Sequence, residues 1–326
     1  MCTLIVLHRC LPGKPLVVAA NRDEFFARPA EDLALRTSKT GPILAPLDLE
    51  AGGTWLGLSQ RGVFAGLTNL RPLVATEVAK EAVGTGNGAP KDLLSRGEVV
   101  MAALEAESAD SAMHALMQLE EKAYNPFQLV VADGRDGWLI VYRDTPRAIE
   151  LTQGVHIVGN VEDEAVASVI NAIPEEAVPE EADRKGNENR NQGGSPPEAV
   201  DFPGFEGIEG LENLAGLDDS EEPRAVKLVR IRERVEKLMT DSSGDLLEGL
   251  AGVCREHVDQ TGGKSSPFES TCVHVADRYG TRSSLLLELA SETEASRLWT
   301  TDGPPCEQSF ENRSSLLSSL SVRLRE

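Results

Sequence analysis

The sequence predicts an α+β fold in which two antiparallel sheets are flanked by layers of helices. Two observations carry this. The spacing of apolar residues switches from a period of two to helical spacing and back, in the order strands, helices, strands, helices, strands. The early strand-like runs are joined by short turns, which makes hairpins rather than parallel crossovers.

The elements follow in order. Cys2, Leu4, Val6 and His8 share one face of a strand and Thr3, Ile5 and Leu7 the other. Leu11-Pro-Gly-Lys-Pro15 is a turn, and Leu16–Asn21 returns as the second strand. Residues 25–50, with Pro29, Pro42 and Pro46, read as loop. A second hairpin joins Thr54–Leu58 to Val63–Thr68 through Ser-Gln-Arg-Gly. Between 89 and 122 the two-residue period is lost. Val99, Val100, Ala103 and Leu104, then Met113, Leu116, Met117 and Leu119, suit two amphipathic helices. Strands Phe127–Ala132 and Trp138–Tyr142 enclose the turn Asp133–Gly137, and His156–Gly159 is a further short strand. Ala225–Leu238 and Asp245–Val258 return to helical spacing. Thr271–Val275, Ser283–Leu289 and Arg297–Thr300 close the chain with strands. No internal repeat is visible. The 326 residues are expected to form one domain, interrupted by an insertion at about 174–222 that is rich in Glu, Asn, Gly and Pro. Its composition buries too little apolar surface to offset its ordering entropy, so it is expected to be partly disordered.

Composition narrows the function classes. Apolar residues make up 40% of the chain and aromatics only 4%, so a core of Leu, Val, Ala and Ile is expected. The formal charge is −21, from 53 acids against 32 bases. Between Glu175 and Glu222 there are 15 acids and three bases, so over half the imbalance sits in the insertion. That excess argues against nucleic acid and anionic membranes as partners. The five cysteines, Cys2, Cys10, Cys254, Cys272 and Cys306, show no CxxC spacing and are odd in number. Neither a disulfide framework nor a zinc ribbon is expected, and no metal or other cofactor is required. Reduced thiols, no signal peptide and no apolar run of about 18 residues point to a cytoplasmic protein without a membrane span. C₂ homodimerisation is the default expectation for its assembly.

The chemistry begins at Met1-Cys2. Aminopeptidases remove an initiator Met that precedes a small residue. Cys2 would then carry both a thiol and a free α-amine, which titrates near about 7.7–8 and can act as base for its own side chain. The second strand runs from Leu16-Val-Val-Ala-Ala20 directly into Asn21-Arg22-Asp23-Glu24. The hairpin brings this polar tetrad beside Cys2, where a carboxylate can hold the amine and a cation can lower the thiol pKa. Asn69 and Asn160 each end a strand and are candidate donors to an oxyanion.

Met-Cys-Thr-Leu at 1–4, Asn-Arg-Asp-Glu at 21–24, Gly-Gly-Thr-Trp-Leu-Gly at 52–57, Gly-Leu-Thr-Asn at 66–69 and Tyr-Gly-Thr-Arg-Ser at 279–283 together resemble the NRDE family, which includes the Transport and Golgi Organization proteins. The resemblance spans nearly the whole chain outside the acidic insertion. It implies a branch of the N-terminal-nucleophile hydrolases with a four-layer αββα fold, similar in outline to penicillin V acylases and bile salt hydrolases. By that likeness Cys2 is the nucleophile, Asp23 holds its α-amine, and Asn69 and Asn160 line the oxyanion hole. The arginine those acylases carry three residues before the aspartate is replaced here by Ala20, so Arg22, on the same strand face, or Arg282 is expected to take over its charge. Arg224 is a weaker match to their late pocket arginine. Asn21, Glu24, Trp55 and Arg282 are expected to contact substrate. The activity implied is hydrolysis of a non-peptide C–N amide through a thioester on Cys2. The alternative, from the eukaryotic relatives, is a non-catalytic haem or lipid carrier using the same pocket, with His8, His274 or Cys2 as haem ligand. Cys2 and His8 lie about 20 Å apart on a regular strand, so they cannot ligate one iron together.

Overall fold

The structure is a computed structural model that describes residues 2–70, 93–162, 221–241, 244–259 and 265–322. In chain order its strands are β1 Cys2–Leu11, β2 Lys14–Phe25, β3 Ala30–Ser38, β4 Gly41–Asp48, β5 Leu56–Ser59, β6 Phe64–Asn69, β7 Phe127–Ala132, β8 Gly137–Tyr142, β9 Pro146–Glu150, β10 Gly154–Val158, β11 His274–Val275, β12 Tyr279–Leu289, β13 Arg297–Asp302 and β14 Glu311–Asn312. The helices are α1 Arg96–Leu104, α2 Ala109–Leu116, α3 Glu221–Thr240, α4 Leu246–Cys254 and α5 Ser315–Leu320. The acidic insertion, apart from residues 221 and 222 at the start of α3, lies outside the described residues.

Two seven-stranded antiparallel sheets form. One runs β10-β1-β2-β12-β13-β14, with β11 paired to β12; the other runs β3 to β9 in sequence order. The period of two then sorts the side chains. Leu4, Val6, Leu16, Val18 and Ala20 from the first sheet meet Leu56, Leu58, Phe64, Val130 and Val141 from the second in the layer between them. The alternate residues of the first sheet, Ile5, Leu7, Val17 and Ala19, pack on Leu228, Ile231, Leu247 and Leu250 of α3 and α4. Those of the second sheet, Ala65, Leu67, Leu129 and Val131, pack on Val99, Val100, Ala112 and Leu116 of α1 and α2. The layers are therefore α-β-β-α, as the resemblance implied. Leu4, Val6, Leu7 and Leu16 are wholly buried, and each such side chain contributes about 1.5–3 kcal/mol. No helix among the described residues is long and apolar enough to cross a membrane.

The loop expected over residues 25–50 is instead largely two strands, β3 and β4. The prolines misled because each sits where a missing N–H does little harm. Pro42 is the second residue of β4, opposite Thr37 of the edge strand β3. Pro46 faces the bulge that interrupts the β3–β4 register between Glu31 and Ala34. Strand β9 and the short helix α5 were also not expected from the sequence.

Candidate active site

Cys2 opens β1 and pairs directly with Arg22 of β2. Direct partners project to one face, so thiol and guanidinium both enter the inter-sheet layer. On the other flank of β1 the register with β10 ends at Leu4–Val158. Asn160 follows two residues after Val158, past the end of β10. The polar cluster at this end of the sheets thus follows from strand register.

Asp23 alternates to the opposite face, beneath α3. Thr281 of β12 donates its hydroxyl to Asp23 Oδ1 at 2.6 Å, and Lys227 of α3 places Nζ 3.8 Å from Oδ2. Both charged side chains are closed off from solvent, at 0% and 3% exposure. Thr281 Oγ1 in turn accepts the Val273 N–H at 2.8 Å. Gly280 makes this possible: a Cβ there would stand 2.4 Å from the Val273 carbonyl oxygen. Burial pushes the Asp23 carboxyl up, against the pull of the Lys227 ammonium, and pushes the Lys227 ammonium down. Burial also raises the Cys2 thiol; Asp23 and Glu24 add to that and Arg22 opposes it. Burial therefore favours the protonated form of the thiol.

Arg22 is almost fully buried. Its Nη2 lies 3.3 Å from Asp48 Oδ2, which Arg28 Nε also approaches, at 2.7 Å. The Asp48 carboxylate accepts the Glu50 and Ala51 N–H groups as well. Arg22 is thereby held in place by a carboxylate that is itself held.

Asn160 Nδ2 donates to the Asn69 carbonyl at 2.6 Å. Its neighbours are clamped to the second sheet: the Gly159 carbonyl accepts from Thr68 Oγ1 at 2.6 Å and from Gln128 Nε2 at 2.9 Å. The two asparagines are brought together by a side chain-to-backbone bond. Asn69 itself lies in register with Phe127, on the strand face of Leu67.

The four residues expected at the substrate divide. Glu24 is partly exposed on the face of Arg22, and its Oε1 accepts the Phe25 N–H. Trp55 is half-buried against the inter-sheet core, and its carbonyl accepts the Leu67 N–H at 2.8 Å. Asn21 is a strut: both its amide hydrogens go to the carbonyls of Cys254 and Thr271, and its Oδ1 accepts from Ser284. Arg282, in the β12 bulge, ties down the loop after β2 through the carbonyls of Phe26 and Arg28. Arg22, not Arg282, is the arginine across from Cys2. Arg224 is buried on α3 over the Phe268 ring, 4.7 Å from its centroid. The haem-ligand candidates are dispersed. His8 is sealed at the far end of β1 with Nδ1 on the Leu151 carbonyl, and His274 lies on β11.

Three site residues escaped the sequence reading. Thr281 lies inside the Tyr-Gly-Thr-Arg stretch but was given no role. Lys227 is a lysine amid Ala225, Leu228, Val229 and Ile231, an anomaly on a buried helix face that was there to be noticed. Arg96, at the start of α1, acts electrostatically with Glu24, Arg28 and Cys2, and burial brings its guanidinium down to about 10. The start of α1 packs tightly on the loop before β5: a Cβ on Gly53 would lie 2.7 Å from Gly97 Cα.

The family model described as Transport and Golgi organisation 2 matches residues 1–173. The human Transport and Golgi organization protein 2 homolog is 36% identical over 154 residues, covering 44% of this chain and 50% of that protein. The mouse homolog is 34% identical over 154 residues with the same coverage. The chain thus spans about half the length of the curated relatives it matches. A variant of conjugated bile acid hydrolase from Clostridium perfringens superposes with a TM-score of 0.51 at 13% identity, over 99% of this chain and 96% of that one. That likeness establishes the arrangement of sheets and helices alone.

Proposed function

The chain belongs to the Transport and Golgi organisation 2 family, and from that premise we propose that it is an N-terminal-cysteine amidohydrolase acting on a non-peptide C–N amide. The observation that carries the reading is the direct pairing of Cys2 with Arg22, with Asp23 one residue on and Asn160 just past the strand on the other flank of β1. In this proposal removal of Met1 frees the Cys2 α-amine. The amine accepts the thiol proton as sulfur attacks the amide carbonyl. Asn160 donates to the resulting oxyanion, and Asn69, by engaging Asn160, orients it. The leaving amine takes that proton from the α-ammonium as the C–N bond breaks, and a thioester remains on Cys2. Water, activated by the same α-amine, then releases the acid and regenerates the thiol. Asp23 fixes the amine and Arg22 supplies positive potential beside the sulfur. Glu24, Trp55 and Arg96 border the place where substrate would sit.

The test is a panel of N-acyl amides offered to protein whose first residue is Cys2. The reading predicts turnover of at least one amide and its loss in Cys2→Ser. A panel untouched by processed protein, or turnover unchanged in Cys2→Ser, would refute it.

A further inference from the structure

Away from Cys2, four residues from separate parts of the chain converge. His257 follows the end of α4, Cys272 leads into β11, His274 begins that strand, and Cys306 lies on the loop after β13. One ligand atom from each, two sulfurs and two imidazole nitrogens, all lie within 4.8 Å of one another. Cys272 Sγ is 3.5 Å from Cys306 Sγ and 3.6 Å from His274 Nε2, and His274 Nε2 is 3.2 Å from Cys306 Sγ. The His257 and His274 rings are 5.2 Å apart between centroids.

These separations have a simple chemical reading. With Zn–S of about 2.3 Å and Zn–N of about 2.0–2.1 Å, a tetrahedral ion sets its ligands about 3.8 Å apart for two sulfurs and about 3.6 Å for sulfur and nitrogen. The three spacings among Cys272, His274 and Cys306 lie close to that cage, and the His257 nitrogen lies within 4.8 Å of each of the other three ligand atoms. The geometry points to a Cys2His2 site for zinc or a similar borderline-soft divalent cation, formed by His257, Cys272, His274 and Cys306. Binding converts two thiols to thiolates and releases two protons, so the dication, two thiolates and two neutral imidazoles sum to zero charge. The surroundings match a structural site. Hydrogen bonds in the surrounding backbone position the ligands. Arg255 Nε donates to the Pro305 carbonyl at 3.1 Å, fixing the approach of Cys306. The Cys272 N–H donates to the Glu256 carbonyl, beside His257. Four protein ligands leave no open position, so the role is a clip. It ties the end of α4 and the loop after β13 to the segment leading into β11, where Thr271 and Val273 support Asn21 and, through Thr281, Asp23. Sequence spacing hides the site, because only Cys272 and His274 are near neighbours in the chain.

The test uses full-length protein purified under reductant, incubated with Zn(II) or Co(II) and desalted. The site predicts about one metal per chain, and for Co(II) the intense visible bands of a tetrahedral ion with sulfur-to-metal charge transfer in the near ultraviolet. Cys306→Ser and His257→Asn, both at exposed positions, should lose the charge-transfer band or the metal while keeping the wild-type far-ultraviolet circular dichroism. Cys2→Ser and Cys10→Ser should retain one metal, which separates this site from the amidohydrolase reading. Wild-type protein that carries no metal after desalting, Co(II) that shows no thiolate charge transfer, or a Cys272–Cys306 disulfide recovered from reduced, zinc-treated protein would each overturn the inference. The wild-type spectrum decides the matter even if a variant fails to fold.

Discussion

Lys227 Nζ and Asp23 Oδ2 stand 3.8 Å apart in a compartment that water does not reach. A lysine on a buried helix face is costly, so something must compensate it, and here the partner is the carboxylate proposed to hold the Cys2 amine. Removing one member strands the other. Lys227→Met is predicted to destabilise the fold by about 3–5 kcal/mol. The double variant Lys227→Met/Asp23→Asn should regain part of that loss. Urea unfolding checks this, and a single variant within about 1 kcal/mol of wild type would contradict the pairing.

The pH dependence of turnover has a definite sign. The α-amine works as a base only when neutral, so activity should rise with pH through a value near or above about 7.7–8. A neighbouring carboxylate stabilises the ammonium and raises that value. Asp23→Asn should therefore lower turnover and move the acid limb of kcat/KM to lower pH. A limb that stays in place would show that Asp23 does not act on the amine.

Asn160→Ala removes the proposed oxyanion donor while leaving the Thr68 and Gln128 clamps on Gly159 intact. The expected cost is about 10²–10³ in kcat with little change in KM. Steady-state kinetics decides, and a loss confined to KM would assign Asn160 to ground-state binding.

Glu288 gives an independent test of the first sheet's electrostatics. Burial would raise its carboxyl, but hydrogen bonds from Arg297 and Lys14 hold it below the ordinary range. Its native pKa is thus lower than its unfolded value of about 4.3. The stability it contributes is full above that value and is lost as pH falls through the native pKa. Glu288→Gln should cost about 2 kcal/mol near neutrality and flatten the acid branch of the stability curve. An unchanged acid branch would contradict the linkage.

Both hairpins, the helix layers and the placement of the tetrad beside Cys2 were legible in the sequence, because period and turn chemistry specify register locally. The hydrogen-bond partners of Asn21 were not legible for a related reason. Strand parity puts it on the helix-facing side with Asp23, but a sequence does not reveal that the carbonyls of Cys254 and Thr271 wait there. Lys227 and Arg96 reach the site only through helix packing, over sequence separations that no periodicity encodes. Strands β3 and β4 were hidden by prolines whose harm depends on which neighbour lies across the ladder.

The most direct measurement is intact mass spectrometry of purified active protein, before and after a brief exposure to an activated N-acyl substrate quenched in acid. The account predicts a chain that begins at Cys2 and gains one acyl group there, absent in Cys2→Ser. Active protein that still carries Met1, or an acyl group that maps to another residue, would contradict it.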